Sequence, residues 1–303
     1  MKKKNTMFPT PILIIAYNRV EYAHDLFQAI RQMRPEKMYV SIDGAVSGDR
    51  VDYRNVLEVR NVFLPEWECD LQMRVNDAHL GKAKHVVSAI DWFFEQEPEG
   101  IILFDDTLPH PDFFPFCAEL LNRYRNDQQI GHICGCNILK KRHSDKSYIF
   151  SIYPSTWGFA TWRDRWNGMS LQTDAITPEE FPALFAPYEV KSKVPAFWLR
   201  RYKLINKFPD IDIWEYQYFF HLWKKGCLSV VPSVNLVENR GFATKKKRRL
   251  RKLNREVKGI MPLDHNDEKK NCYRGDKFYF RRYFRKDKLT FLRRWIDDNI
   301  LND

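Results

Sequence analysis

The sequence predicts an α/β fold with a mostly parallel central sheet, and three features support that class. Short apolar segments alternate with amphipathic helical segments from residue 11 to residue 104, which is the order of repeated β-α units. The segment GIILF (100–104) has four consecutive apolar residues after a glycine, which is typical of a strand buried on both faces. Two aspartates and a proline-marked turn follow it directly, and ligands of open α/β sheets bind outside such strand ends.

Each element follows from its own local pattern. The predicted strands are PILIIA (11–16), MYVSIDG (38–44), CDLQMRV (69–75), the strand of the GIILF segment and IGHICG (130–135). Helices are predicted over 21–33, 49–64 and 81–96, where apolar residues recur at helical spacing, among them Val51, Val59 and Val62 in the second helix. Asp112 is predicted to cap a helix that carries Phe114 and Tyr124.

The regular alternation fades beyond about residue 137, where tryptophans and prolines become frequent. The only biased segment is KKKRRLRKLNREVK (245–258). We therefore place organisational boundaries near residues 137 and 244, which divide the chain into 1–137, 138–244 and a basic C-terminal extension, 245–303.

The net charge of +11 is concentrated at one end of the chain. Lys plus Arg and Asp plus Glu number 30 each in residues 1–244, against 20 and 9 in residues 245–303. A basic extension of this kind attracts phosphates on nucleic acid, anionic lipid or an acidic glycan. The chain shows neither the apolar core of a signal peptide nor a membrane-spanning run, which predicts a soluble, cytoplasmic protein. The six cysteines lack CxxC spacing and are expected to be reduced core thiols.

Adjacent carboxylates at a strand end indicate a ligand site, because Asp105 and Asp106 repel each other unless a cation or sugar hydroxyls hold them. Hard oxygen ligands suit Mg²⁺ or Mn²⁺, so the pair suggests a metal site. The alternative is that Asp105 caps a turn and Asp106 is merely solvated. No glycine-rich phosphate loop is present, which argues against Walker-type ATPases and dinucleotide-dependent dehydrogenases.

Several motifs together resemble bacterial nucleotide-sugar glycosyltransferases of the GT-A fold and, more distantly, the N-acetylglucosaminyltransferase that starts complex N-glycans. The resemblance covers roughly residues 10–265, and its specificity lies in the order of its motifs. These are TPILIIAYNRVEYAHDLFQAI, VSIDG, the segment from GKAKHVV to LLNRY that contains FDDT, STWGFATWRDRW, WEYQYFFHLWKKGCLSVVPSVNLVENRGF and PLDHND. The resemblance implies a nucleotide-sugar-binding half at 1–137 and a half for acceptor and donor sugar at 138–244.

The resemblance also implies residue roles. Asp106 would ligate Mn²⁺ or Mg²⁺, with His265 as the nearest candidate for a second metal ligand, although a lone histidine in a polar loop is usually solvated. The implied donor-binding residues are Ala16, Tyr17, Asn18, Arg19, Asp43, Lys82, Asp105, Trp157 and Gly158. The chain departs from the family where Phe104 replaces the usual Glu, and NRGF (239–242) lacks the usual Thr-His. By itself, the tryptophan-rich segment of Trp157 is more often core than binding site.

Inverting glycosyl transfer needs a carboxylate to take the proton of the acceptor hydroxyl. In DIDIWEYQ (210–217), Glu215 aligns with the acidic residue of the family, and Asp212 is the second candidate. The alternative is a capping arrangement, with Asp212 as the N-cap of a helix and Glu215 at its third position.

The resemblance thus implies a metal-dependent glycosyltransferase that moves a sugar, most simply from a UDP-sugar, to a surface glycan or lipid-linked acceptor. Residues 245–258 would contact an anionic membrane, on its inner face. The alternatives are a non-catalytic glycan- or nucleotide-binding protein, which the Phe104 replacement favours, and a nucleic-acid-binding protein that uses the basic extension. Nucleic acid is not expected as a partner, because the aromatic residues of the body are not interleaved with basic ones.

Overall fold

The computed structural model describes residues 7–139, 143–172, 176–208, 212–242 and 256–284. Its strands are β1 (Ile12–Ala16), β2 (Lys37–Ile42), β3 (Asp70–Val75), β4 (Glu99–Phe104), β5 (Thr107–Pro109), β6 (Ile130–Cys134), β7 (Tyr148–Ser151), β8 (Phe159–Trp162), β9 (Leu228–Pro232) and β10 (Val237–Asn239).

Its α-helices are α1 (Val20–Met33), α2 (Arg50–Val62), α3 (Lys82–Gln96), α4 (Phe113–Tyr124), α5 (Arg163–Trp166), α6 (Lys193–Lys207), α7 (Glu215–Lys224) and α8 (Tyr273–Tyr279). Short 3₁₀ helices lie at Phe181–Phe185 and Arg240–Phe242, and a π-helical turn, Phe280–Phe284, continues α8.

Eight strands form one sheet in the order β3-β2-β1-β4-β8-β6-β9-β7. Strands β3, β2, β1 and β4 are parallel neighbours, as are β6 and β9. Strand β8 runs antiparallel between β4 and β6, and β7 is an antiparallel edge strand. The predicted α/β class, with a mostly parallel sheet flanked by helices, is therefore confirmed.

The sheet is covered on both faces because successive side chains of a strand point in opposite directions. In β1, Ile12 and Ile14 pack in the cluster that contains the buried residues of α1, α2 and α4. Leu13 and Ile15 pack in a second cluster with α3 and with Trp214 and Tyr218. Because β1 and β4 are parallel neighbours, their carboxyl ends lie side by side at one edge of the sheet.

Two local expectations were wrong. Val51 is 58% exposed, and Val56 instead joins Val59 and Val62 on the buried face of α2. Asp112 precedes α4 without a side-chain capping bond. Its carboxylate accepts from the Ile260 and Met261 amides instead, at 2.7 and 3.1 Å. Turn carbonyls already satisfy the first amides of α4, so the Asp112 carboxylate is available to a distant loop.

The described part of the predicted basic extension packs against the sheet. The Cys272 amide donates to the Phe150 carbonyl at 2.7 Å, and the Ser147 amide donates to the Asp264 carbonyl at 2.9 Å. Phe284 is 1% exposed. The boundary near 137 falls between β6 and β7, and β8 enters the sheet between β4 and β6, so both halves contribute to one sheet. The assignment of separate roles to the three segments stays a prediction.

All six cysteines are free, as expected, and four of them are buried. Five tryptophans, Trp162, Trp166, Trp198, Trp214 and Trp223, are among the largest fully buried side chains. Rings buried in this way are not available to stack on nucleic-acid bases. Among the described helices, none combines the length and apolar character needed to cross a bilayer.

Candidate functional site

The first group of polar residues lies where β1 and β4 end side by side. Asp105 follows β4, donates its amide to the Ile15 carbonyl at 3.1 Å, and accepts from the Tyr17 amide at 3.2 Å. The residue is 7% exposed. Burial raises the pKa of Asp105 to about 6, and the nearby Asp106 also raises it, against the opposing effect of Arg19.

Arg19 supplies the cation that the two adjacent carboxylates require. Its Nη1 lies 2.7 Å from Asp106 Oδ2 and 3.5 Å from Asp105 Oδ1. The AYNR segment at the end of β1 therefore neutralises the FDDT segment at the end of β4. The sequence indicated a cation at this point, and the structure supplies it from a side chain.

Asp106 is also enclosed from the C-terminal side. The Arg240 amide donates to the Asp106 carbonyl at 2.7 Å. A Cβ on Gly241 would meet Asp106 Oδ2, so a larger residue at this position would require the Asp106 carboxylate to move. The NRGF segment thus contacts Asp106 through its backbone.

The second group lies where α3 and α7 begin. Asp212 accepts from the Lys82 amide at 3.2 Å and from the Ala83 amide at 2.5 Å. The N-cap of α3 is Gly81, which has no side chain to cap those amides, so Asp212 caps α3 from a distant part of the chain. The capping alternative for α7 was wrong, because α7 begins at Glu215 with Trp214 at its N-cap.

Lys82 and Glu215 form an ion pair between the same two helices. Glu215 also accepts from the Trp214 amide at 3.3 Å. Burial opposes ionisation of Glu215, but the Lys82 ammonium outweighs it and lowers the pKa of Glu215 below its usual value.

Lys82 connects the two groups electrostatically. Burial opposes its charge, but Glu215, Asp212 and Asp106 together raise the pKa of Lys82. The ammonium forms an ion pair with Glu215 at the start of α7, and the negative charge of Asp106 at the end of β4 adds to the rise in the pKa of Lys82. Its side chain remains half-exposed, so the charge is accessible to a ligand.

Two of the predicted donor-binding residues, Tyr17 and Asn18, are anchored by an aspartate that the sequence did not single out. Asp52 on α2 accepts from the Tyr17 hydroxyl at 2.5 Å, the Asn18 amide group at 2.6 Å and the Val46 backbone at 2.7 Å. Burial, followed by the bond to Asp52, raises the pKa of Tyr17. Asp52 lies in the first turn of α2, where an acidic residue is ordinary, so its sequence position carried no signal. Ala16 is the buried last residue of β1.

Asp43 is buried and already saturated by protein donors. Its carboxylate accepts from the Gly44, Leu80 and Gly81 amides and from the Asn76 side chain, at 3.0–3.1 Å. His79 Nδ1 lies 3.0 Å from the same carboxylate, and the His79 ring packs 4.8 Å from the Tyr17 ring. A bond from a bound nucleotide would have to replace one of these donors. Sequence reasoning had assigned no partner to His79.

Phe104 and Trp157 are both in aromatic surroundings. The Phe104 ring lies 6.1 Å from Trp214 and 6.5 Å from Phe159, so an apolar contact stands where the resembling family has Glu. Trp157 is 8% exposed and belongs to the main core cluster. Gly158 adopts a φ of +67° and packs against Leu103 and Val237. The packing of Trp157 agrees with the core alternative, and its proposed contact with a donor sugar stays a prediction.

The role of His265 as a metal ligand stays a prediction, and the structure shows both of its ring nitrogens in contact with protein groups. Its Nδ1 is 3.0 Å from the Tyr148 hydroxyl and its Nε2 is 2.9 Å from Glu119, so α4 and β7 occupy both ring nitrogens. Within the described ranges, no three His, Cys, Asp or Glu side chains are grouped to hold a metal ion. Asp106 is the one predicted ligand at the site, and its Oδ2 is bound to Arg19. The residues as arranged do not form a metal site.

Comparison with known proteins gives structural similarity only. No family model matches the chain, and no curated protein matches it. The inositol-1-phosphate CTP transferase from T. maritima aligns over 83% of this chain and 98% of its own, with 11% identity and a TM-score of 0.40. UDP-glucose pyrophosphorylase in complex with UDP-glucose aligns over 48% and 62%, with 10% identity and a TM-score of 0.29. HddC from Yersinia pseudotuberculosis, complexed with GMP-PN, aligns over 51% and 77%, with 9% identity and a TM-score of 0.33. These scores are below 0.5, so the fold assignment stands on the sheet itself.

Proposed function

We propose that the chain is a glycosyltransferase that binds a nucleotide-diphosphate sugar and transfers the sugar to an acceptor hydroxyl. The observation that carries the proposal is the ion pair between the Lys82 ammonium and Glu215, beside the Lys82 and Ala83 amides that Asp212 caps. A half-exposed cation among carboxylates suits a reaction that needs both a phosphate-binding charge and a general base.

Arg19 and Lys82 are the groups proposed to bind the diphosphate. Both are about half-exposed, and both are held by carboxylates before any ligand binds. As the bond between the anomeric carbon and the phosphate oxygen breaks, negative charge develops on the diphosphate. Preplaced cations would stabilise that charge. Asp105 and Asp106 would orient Arg19, and the partly buried network of Tyr17, Asn18 and Asp52 would support the wall of the nucleotide-base pocket.

Glu215 is the proposed general base, which accepts the proton of the acceptor hydroxyl as its oxygen bonds to the anomeric carbon. The ion pair with Lys82 lowers the pKa of Glu215 and so weakens it as a base. A bound diphosphate would draw the Lys82 ammonium toward itself and raise the basicity of Glu215. Donor binding would then prepare the base for the acceptor.

Mg²⁺ or Mn²⁺ was the expected cofactor, but the arrangement of Arg19 on Asp106 does not fit a preformed metal site. We therefore assign neutralisation of the diphosphate to Arg19 and Lys82 and derive no step through a metal. A divalent ion that acts here must first displace Arg19 from Asp106. A substitution of Arg19 should therefore change the affinity of the protein for the metal.

A non-catalytic donor-binding protein is the second candidate, favoured by Phe104. Its ring packs against Trp214, next to Glu215, where the resembling family has a carboxylate. Such a protein would retain nucleotide-sugar binding without breaking the glycosyl-phosphate bond.

One experiment separates these functions. Thermal shift with UDP-, GDP- and CMP-sugars, with and without Mn²⁺, measures binding, and release of the nucleotide without acceptor measures bond cleavage. For the enzyme, Glu215→Gln should reduce nucleotide release by roughly 10²–10⁴ while donor affinity is retained. Binding without any release supports the second candidate. If no nucleotide sugar stabilises the protein, both are wrong.

The acceptor and the membrane contact are proposed from the sequence alone. A surface glycan or lipid-linked saccharide is the proposed acceptor, and residues 245–258 are the proposed contact with an anionic membrane. Most of that segment, 245–255, lies outside the described residues. Changing Lys245, Lys246, Lys247, Arg248 and Arg249 to Ser should weaken adsorption to anionic vesicles and leave donor binding unchanged.

A further inference from the structure

Positively charged side chains are also concentrated near the C-terminal end of the described residues, between 274 and 282. Helix α8 and the π-helical turn after it border an open groove of about 530 Å³. Its lining residues are His143, Arg274, Lys277, Phe278, Arg281 and Arg282. Arg274, Arg281 and Arg282 are exposed, and Lys277 is partly exposed. These four cations define what we call the basic groove.

Among the described residues, no carboxylate forms an ion pair with Arg274, Lys277 or Arg281. Asp276, the acidic residue of α8, points inward and bonds to Ser151 at 2.5 Å and Asn271 at 2.8 Å. Repulsion from Lys191, and then from Arg281, lowers the pKa of Lys277. A bound anion beside Lys277 and Arg281 would reduce this repulsion.

The groove is also held in place by packing on its inner side. Tyr279, Phe280 and Phe284 are all at most 7% exposed and fix the helix against the core. The Arg282 guanidinium lies 5.9 Å from the Phe278 ring at the groove wall. Arginines on a rigid, concave surface present fixed donors, which suits phosphate oxygens better than a flexible chain does.

We propose that the basic groove is a binding site for a group that carries two or more phosphates. The number of cations exceeds what one monoanion would neutralise, and the volume admits a group of that size. Neither Arg19 nor Lys82 lines the groove, so the inference does not depend on the proposed function. Such phosphates can belong to a soluble ligand or to an anionic lipid headgroup, and the test distinguishes the two.

The experiment uses the full-length chain without added nucleotide, because a nucleoside diphosphate would itself be a ligand of the basic groove. Binding of inorganic tripolyphosphate is measured by calorimetry, and binding to phosphatidylcholine vesicles with and without phosphatidylglycerol is measured by sedimentation. The variant is Lys277→Ser with Arg281→Ser. The matched control, Arg60→Ser with Lys203→Ser, removes the same charge from exposed positions elsewhere.

The variant should bind its ligand about 30-fold more weakly, because each cation near an anionic surface contributes roughly a factor of five. The control should bind as the parent does. Because repulsion is removed, the variant should unfold at the same temperature as the parent or higher, which excludes misfolding as the cause. If the parent binds tripolyphosphate but not the anionic vesicles, the ligand is soluble. If the parent binds the anionic vesicles and the variant does not, the ligand is a lipid headgroup. Absence of both kinds of binding, or equal losses in variant and control, would overturn the proposal.

Discussion

Arg19 Nη1 lies 2.7 Å from Asp106 Oδ2, so a cation at the end of β1 neutralises a carboxylate that follows β4. The same nitrogen is 3.5 Å from Asp105 Oδ1. A divalent ion at Asp106 and this guanidinium therefore compete for the same negative charge.

The first prediction concerns that competition. Arg19→Gln removes the guanidinium that contacts both Asp105 and Asp106, so affinity for Mn²⁺ should increase by roughly tenfold. Affinity for the nucleotide-sugar donor without metal should fall. Calorimetric titration with Mn²⁺ measures the first effect, and Arg31→Gln, which removes an exposed arginine of α1, is the control. Unchanged or weaker Mn²⁺ binding in Arg19→Gln would contradict the competition.

The second prediction concerns the pH dependence of Glu215. The Lys82 ammonium lowers the pKa of Glu215 against the effect of burial, so Lys82→Met should let burial raise that pKa. A base must be ionised to act, and the acidic limb of the rate profile should therefore move to higher pH. The profile of nucleotide release measures this, with Lys84→Met, an exposed lysine of the same helix, as control. An acidic limb at the parent pH would remove Lys82 from this role.

The third prediction separates capping from catalysis at Asp212. Asp212→Ala leaves the Lys82 and Ala83 amides without their acceptor, so the free energy of unfolding should fall by about 1 kcal/mol. Asp212→Asn keeps one acceptor oxygen in place of two and should lie between Ala and the parent. Urea unfolding provides the measurement. An Asp212→Ala protein as stable as the parent would mean that the cap contributes nothing, and loss of activity alone would make Asp212 a catalytic residue.

The fourth prediction concerns the buried carboxyl of Asp276. Burial raises its pKa to about 6, against the opposing effects of Ser151 and Asn271. Between about pH 4 and pH 6 the folded chain then holds a proton that the unfolded chain has lost, so stability falls as pH rises through this window. The loss amounts to at most about 3 kcal/mol.

Asp276→Asn stays neutral at every pH and should remove this part of the dependence. Urea unfolding at pH 4.5 and pH 7.5 compares the variant with the parent, and Asp267→Asn, an exposed aspartate, is the control. As pH rises, the free energy of unfolding of the parent should fall relative to that of Asp276→Asn. A shift in the opposite direction would mean that the folded chain favours the ionised form.

Local patterns in the sequence determined the first half of the sheet. Strands β1 to β4 and helices α1 to α3 were predicted within a few residues of their bounds, because each is specified by apolar residues within a short window. The expectation that Asp105 and Asp106 need a counter-charge was also local, since it follows from two adjacent carboxylates at a strand end.

Only the tertiary structure decided which residues meet those carboxylates. Arg19 and Asp106 are 87 residues apart in the chain, and Asp212 and Ala83 are 129 residues apart. The insertion of β8 between β4 and β6 is equally invisible to a local pattern. Pairing across such separations depends on which strands become neighbours and on which amides lack a local cap, as after Gly81. A short window of sequence specifies how a segment folds, and the packing of the whole chain decides which charge neutralises which.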